Sequence, residues 1–214
     1  MRLCVGKRGL TIALSLGVAG LGCSPSSGSP PVPSGTTVLV GQVTGTDASV
    51  AVVIDGSAAL FFACGGETTL GTLTHWFHGT ASLDQPFTFD EGTSSAVATG
   101  MATTTAAAGA LSLGAGLGTV AWTATPAPAG TLAGLYTEQM TGQGVADLIV
   151  TQATPADPPT AVGAFRTLND KIFQVTPFRP IALTSTGILA SAIVDGTTQQ
   201  LALTAASPTA AAGD

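Results

Sequence analysis

The sequence predicts an all-β fold, an antiparallel barrel or sandwich of about eight to twelve strands. Two observations carry this. From Thr36 onward the favoured residues are Val, Thr, Ile, Phe and Ala, in short runs broken about every eight to twelve positions by Gly, Asp-Gly or Pro. Capping residues followed by apolar positions at helical spacing are almost absent. Composition sets the frame: 45% hydrophobic and 8% charged residues, with a mean hydropathy of +0.47, exclude the polar, highly charged class of disordered chains. At 214 residues the chain can bury a sizeable core.

The first segment, residues 1–22, reads as a secretory signal: a basic start (Arg2, Lys7, Arg8), an apolar stretch from Gly9 to Gly22 and a small-residue end. As a perfect helix that stretch would reach only about 21 Å, short of the roughly 30 Å hydrocarbon core of a bilayer. Cys23 follows, and here Leu21, Gly22 and Cys23 resemble the export signal of bacterial lipoproteins. In that family an aliphatic residue and two small residues precede a cysteine that is diacylated and becomes the mature N-terminus. Gly20 departs from the pattern, where the family prefers leucine. The resemblance implies cleavage before Cys23 and fatty acyl chains such as palmitate on its sulfur. Two or three chains hold a protein firmly to a membrane where one holds only marginally.

Residues 23–35 then form a Pro/Ser/Gly tether. Pro31 and Pro33 stiffen it, and nothing in it can pack. Ser24 in place of an aspartate is what members of that family sorted to the outer membrane show, which implies a lipid-anchored envelope protein facing the periplasm or the cell surface.

Charge narrows the partners. Cleavage before Cys23 leaves Arg166, Lys171 and Arg179 as the basic residues against twelve acids, a formal charge of -9. That balance excludes a nucleic-acid partner, whose phosphates demand a basic face. It also offers no polybasic patch for anionic lipid, so membrane contact falls to the covalent lipid on Cys23. Cys4 leaves with the signal and Cys23 carries lipid, so Cys64 stands without a disulfide partner.

The β domain is expected over residues 36–206, with a disordered tail at 207–214. Its clearest unit is "ASVAVVIDGSAALFFAC", where Asp55-Gly56 suits a type I′ turn pairing Ile54 with Ser57 and Val52 with Ala59. Both faces of that hairpin are mainly apolar, so it should be buried on both. "LASAIVDGTTQQLALT" repeats the chemistry around Asp195-Gly196. The low-complexity run from Ala96 to Leu117 reads as two small-residue strands: Thr103 to Thr105 disfavour a helix, and each of its interior glycines would cost about 1 kcal/mol there. Prolines mark breaks at 125–130 and 154–159, read as loops within one domain.

Chemistry-bearing residues are few. His75 and His78 flank Trp76 and Phe77, and on a strand the two imidazoles would point to opposite sides. Together with Cys64, Glu67 and Asp84 they make no recognisable zinc motif. His75, Trp76 and His78 are therefore read as a rim or ligand site at one end of a barrel. Asp90 and Glu91, adjacent before a glycine, read as a solvated turn and not as a glycosidase pair, which must face one another. There is no G-x-S-x-G motif and no glycine-rich phosphate loop. Cys64 reads as a buried strand-end thiol; as a nucleophile it would need His75 or His78 as its base.

The stretches "GQVTGTDASVAVVIDGSAALFFACGG", "LTHWFHG" and "AGLYTEQ" resemble a group of uncharacterised exported proteins of high-GC bacteria, over roughly residues 40–180. That resemblance implies export and a β architecture and carries no activity. The expected function is a non-enzymatic envelope protein without a cofactor or metal. It would be structural or would bind an apolar small molecule or another envelope component. The alternative is an envelope hydrolase using His75, His78 or Cys64.

Overall fold

The computed structural model describes residues 35–91, 95–114 and 116–208. The signal, Cys23, the tether up to Ser34 and the tail beyond Pro208 lie outside the described residues. Ser207 and Pro208, expected to open a disordered tail, lie one residue past the last strand, and Pro208 is buried.

The chain is all-β, as expected. Fifteen strands among the described residues exceed the eight to twelve anticipated, because the chain builds two sheets that each curl toward closure. The first sheet holds β1 (Thr36–Val43), β2 (Ser49–Asp55), β3 (Ala58–Cys64), β4 (His75–Thr80), β5 (Pro86–Asp90), β6 (Val97–Ala102), β7 (Ala107–Ser112) and β8 (Thr119–Pro126). Their order is β4-β3-β2-β1-β8-β7-β6-β5, and a short helix, α1 (Leu70–Leu73), precedes β4. The proline-rich stretch at 125–130 ends β8 and begins the crossing to the second sheet. That sheet contains β9 (Gly134–Met140), β10 (Gly144–Thr151), β11 (Thr160–Thr167), β12 (Ile172–Pro177), β13 (Ala182–Leu183), β14 (Gly187–Val194) and β15 (Thr197–Ala205). Pairing of β12 with β14 and of β15 with β9 closes six of these strands into a barrel, with β13 appended to β14. The second proline stretch, 154–159, is the loop between β10 and β11.

Each sheet fills its own interior. Alternate positions along the first sheet place Phe61, Phe77, Phe87, Phe89 and Trp122 in one cluster. In the second, Leu148, Ile188, Leu201 and Leu203 do the same. Burying a side chain of this size contributes about 1.5–3 kcal/mol. The low-complexity run does form two strands, β6 and β7, and packing explains its small residues. Gly100 pairs with Gly109, where a Cβ would run into the Thr99 carbonyl, and Gly109 pairs with Trp122. A Cβ on Gly100 would come within 2.6 Å of that ring.

The first sheet is nearly closed, and side chains bridge its seam. Among the described residues no ladder joins β4 to β5. Instead the Phe89 ring lies where a Cβ on Gly79 would sit, at 2.7 Å. Glu91, just past β5, accepts from the Trp76 backbone N–H at 3.2 Å and lies 2.9 Å from His75 Nδ1. Glu91 is thus a clasp, not a solvated turn.

A third cluster explains the doubly apolar hairpin. Val50, Val52 and Ile54 of β2 point into the first sheet's interior, whereas Ala51 and Val53 point outward with Leu60, Phe62 and Cys64 of β3. These outward residues pack on Leu135, Ile149 and Ala164 of the second sheet. The hairpin is buried on both faces because a second sheet covers its outside.

Its turn differs from the expectation. Asp55 pairs with Ala58 and Val52 with Phe61, leaving Gly56-Ser57 as the turn. Gly56 has φ 61°, and Ser57 is not among the residues with positive φ, the sign pattern of a type II′ turn. The physical reason lies in the neighbour: Thr36 of β1 pairs with Asp55 and holds it extended in the ladder. At the β14–β15 turn Asp195 and Gly196 both take positive φ, 48° and 70°, as type I′ requires.

Candidate functional site

The two filled interiors leave the layer between the sheets as the place for a site. At one end of it a cavity of about 290 Å³ opens, lined from the first sheet by Leu60, Trp76 and His78. The second sheet contributes Thr137, Gln139, Asp147, Arg166 and Thr204 among others.

Register sets the depth of each group. On the outer face of the second sheet, Thr204 of β15, Thr137 of β9 and Asp147 of β10 stand side by side. Two residues further along, Gln139, Val145 and Arg166 form the next row. Opposite them, Trp76 pairs with Phe62, and His78 pairs with Leu60. Trp76 reaches across and donates its indole N–H to Asp147 Oδ2 at 2.7 Å, which places Trp76 and Asp147 at the floor. Arg166 belongs to that second row, and His78, two residues beyond Trp76 on β4, is exposed.

Two neighbours hold Trp76. Phe62 stacks on it at 5.0 Å between ring centroids, and the Arg166 guanidinium lies 5.2 Å from the ring centroid. Asp147 is 6% exposed, and burial pushes its carboxyl up from 3.8 to about 6. Hydrogen bonds from Thr137 and Trp76 and the positive charge of Arg166 only partly offset that. A carboxylate here is therefore desolvated and incompletely compensated beside a cavity, which is a recurrent property of functional sites.

The residues singled out from sequence divide among different places. His75 and His78 do point to opposite sides of β4: His75 sits at the rim of the first sheet's interior with Glu91, and His78 lines the inter-sheet cavity. Trp76 also faces the second sheet, so it does not plug a barrel end. Cys64 is fully buried in the inter-sheet layer and donates to the Gly65 carbonyl at 3.6 Å. Burial, reinforced by the nearby Asp147 carboxylate, pushes its thiol up to about 12. Among the described residues no three His, Cys, Asp or Glu side chains are grouped to hold a metal ion.

Sequence reasoning missed Asp147 and Arg166. One signal was present for Asp147: "GVADLIVT" sets a carboxylate in the middle of an otherwise apolar strand, where an acid is rarely buried without a partner. Arg166, in "VGAFRTLN", carried no comparable signal.

No family model, no curated protein and no solved structure matches this chain.

Proposed function

We propose that this chain is a lipid-anchored cell-envelope protein, tethered through acyl chains on Cys23 and sorted to the outer membrane. Its β body acts as a non-enzymatic binding module, with the inter-sheet cavity as the binding site. One observation carries the binding reading. Both sheet interiors are filled with side chains, whereas the layer between them holds a cavity of about 290 Å³ where polar and apolar groups converge. That size is near the lower end of small-ligand pockets. Sequence supports the anchor: a signal-like leader, a cysteine in a lipoprotein-like setting and a tether that cannot pack. No described helix is long and apolar enough to cross a membrane.

A hydrolase reading gains no support from the geometry. Cys64 is buried with a raised thiol, outside the cavity lining, and His75 faces away from His78.

Two measurements test the proposal. Replacing Cys23 by Ser should move the protein from the membrane fraction to the supernatant; unchanged sedimentation would remove the anchor. A thermal-shift screen of the full chain against small polar and amphipathic molecules should find stabilising ligands whose effect is lost in a folded Ala202→Phe variant, which fills the cavity. Stabilisation that survives this variant would move binding elsewhere.

A further inference from the structure

Closure of the second sheet rests on a short ladder. β15 pairs with β14 from Thr197 to Thr204, but with β9 only at Thr204 and Ala205. Before that point in β15 the two strands part. The Ala202 N–H, which would meet the backbone of Gln139 if the ladder continued, is taken instead by the Glu138 carboxylate at 2.8 Å. From Thr197 to Leu203, therefore, β15 has a strand on one side only among the described residues.

The turn decides which groups are left open. A two-residue turn at Asp195-Gly196 makes Val194 and Thr197 a hydrogen-bonded pair, so odd-numbered residues of β15 bond to β14. Even-numbered residues direct N–H and C=O the other way, as Ala206 does in donating to Leu135. Thr198 and Gln200 thus present both backbone groups along the open edge and Ala202 its carbonyl, and all three residues are exposed. Natural edges are blunted by Lys, Pro, a bulge or a covering element. The stretch "TTQQLAL" along this edge has no charge and no proline.

Such an edge is complementary to extended backbone, and its electrostatic setting selects among peptides. Glu138 stands at the inner end, where it lines the inter-sheet cavity with Gln139 and Ala202, and exposed Asp195 stands at the outer end. A peptide carbonyl that takes the Ala202 N–H leaves the Glu138 carboxylate to a cationic side chain. A second copy suits the edge less well. With Thr198 facing Gln200 in an antiparallel pair, the copy's Asp195 turn would arrive beside Ala202, carboxylate against Glu138.

Going beyond the cavity reading, we infer that the open edge of β15 takes an extended, basic peptide segment of another protein as an added strand. The main chain of the segment pairs with Thr198 and Gln200, and a lysine or arginine near its end sits on Glu138.

The probe is a short, capped, fluorescent peptide of alternating valine and threonine with a lysine at each end, titrated into the full-length chain in detergent. Anisotropy should saturate, and hydrogen exchange at the Thr198 and Gln200 amides should slow. N-methylation of the probe's valine and threonine amides should weaken binding about ten-fold or more, as should Gln200→Pro. That proline removes only a donor on the open edge, so β14 keeps its ladder bonds; if the variant lacks a cooperative melt, Thr198→Lys, which blunts the edge by charge, replaces it. Glutamates in place of the probe's lysines, or Glu138→Gln in the chain, should weaken binding about three-fold or more. Affinity indifferent to N-methylation and to both edge variants would overturn the placement, and equal affinity for the glutamate probe would overturn the basic class. Concentration-dependent dimers in sedimentation, abolished by Thr198→Lys, would give the edge to a second copy and overturn the inference. Neither saturation nor slowed exchange would sink it outright. The cavity reading is untouched by these outcomes, since it stands on small-molecule stabilisation and the Ala202→Phe variant.

Discussion

Replacing Asp147 by Asn should stabilise this protein at neutral pH and leave it nearly unchanged in acid. The asparagine amide oxygen would still accept the Trp76 indole N–H, and the substitution would remove a desolvated charge. The sign follows from proton linkage. Between pH 3.8 and about 6 the native carboxyl binds more protons than the unfolded chain, so stability falls as pH rises through that window. At about 1.4 kcal/mol per pH unit, the loss reaches about 3 kcal/mol above pH 6. Asn does not suffer it, though it gives up the attraction to Arg166, so a gain of about 1–3 kcal/mol at about pH 7.5 is expected. For a β body of this size that is a rise in melting temperature of roughly 3–10 °C. Urea denaturation of both proteins at about pH 3.5, 5 and 7.5 measures it, and the variant-minus-native difference cancels other titrating groups. A difference that stays constant over this range, or a variant less stable at neutral pH, would refute the reasoning.

Three further outcomes can be checked. Gly100→Val should force the Trp122 indole aside and destabilise by about 1–3 kcal/mol or more, seen as a lowered denaturation midpoint. Trp122→Phe should cost less than a core truncation of its size: the buried Trp122 Nε1 has no hydrogen-bond partner among the described residues, and removing it recovers about 1–3 kcal/mol of desolvation penalty. A stability within about 1 kcal/mol of the native chain is expected from equilibrium unfolding. Asp47 accepts from the Thr68 backbone N–H at 2.8 Å and from the hydroxyls of Thr68 and Thr69, and these bonds lower its carboxyl to about 2. The stability it contributes is present above pH 3.8 and lost as pH falls toward 2, so Asp47→Ala should flatten that limb of the stability–pH curve.

Much of the fold was legible from the chain because strand signals are local. Threonines and glycines that disfavour a helix marked the low-complexity segment as two strands, which are β6 and β7 with Thr103 to Thr105 in the turn between them, and Asp195-Gly196 fell at its own turn. Opposite orientations for His75 and His78 followed from the two-residue strand period alone. Other features depend on which strand lies next to which. The same Asp-Gly pair turns differently in β2–β3 because β1 holds Asp55 in its ladder. Glu91 became a clasp because closure of the first sheet brings it beside β4, at a sequence separation of sixteen residues from His75.

The sequence by itself determined an all-β chain of short antiparallel strands, with an apolar hairpin that had to be covered on both faces, since alternation and turn chemistry are written residue by residue. Only the tertiary structure decided that the cover is a second curled sheet. It alone brought Asp147 to Trp76 across 71 positions and set Arg166 over the same ring. Neither contact has a local signature, because each arises where two separately curled sheets meet.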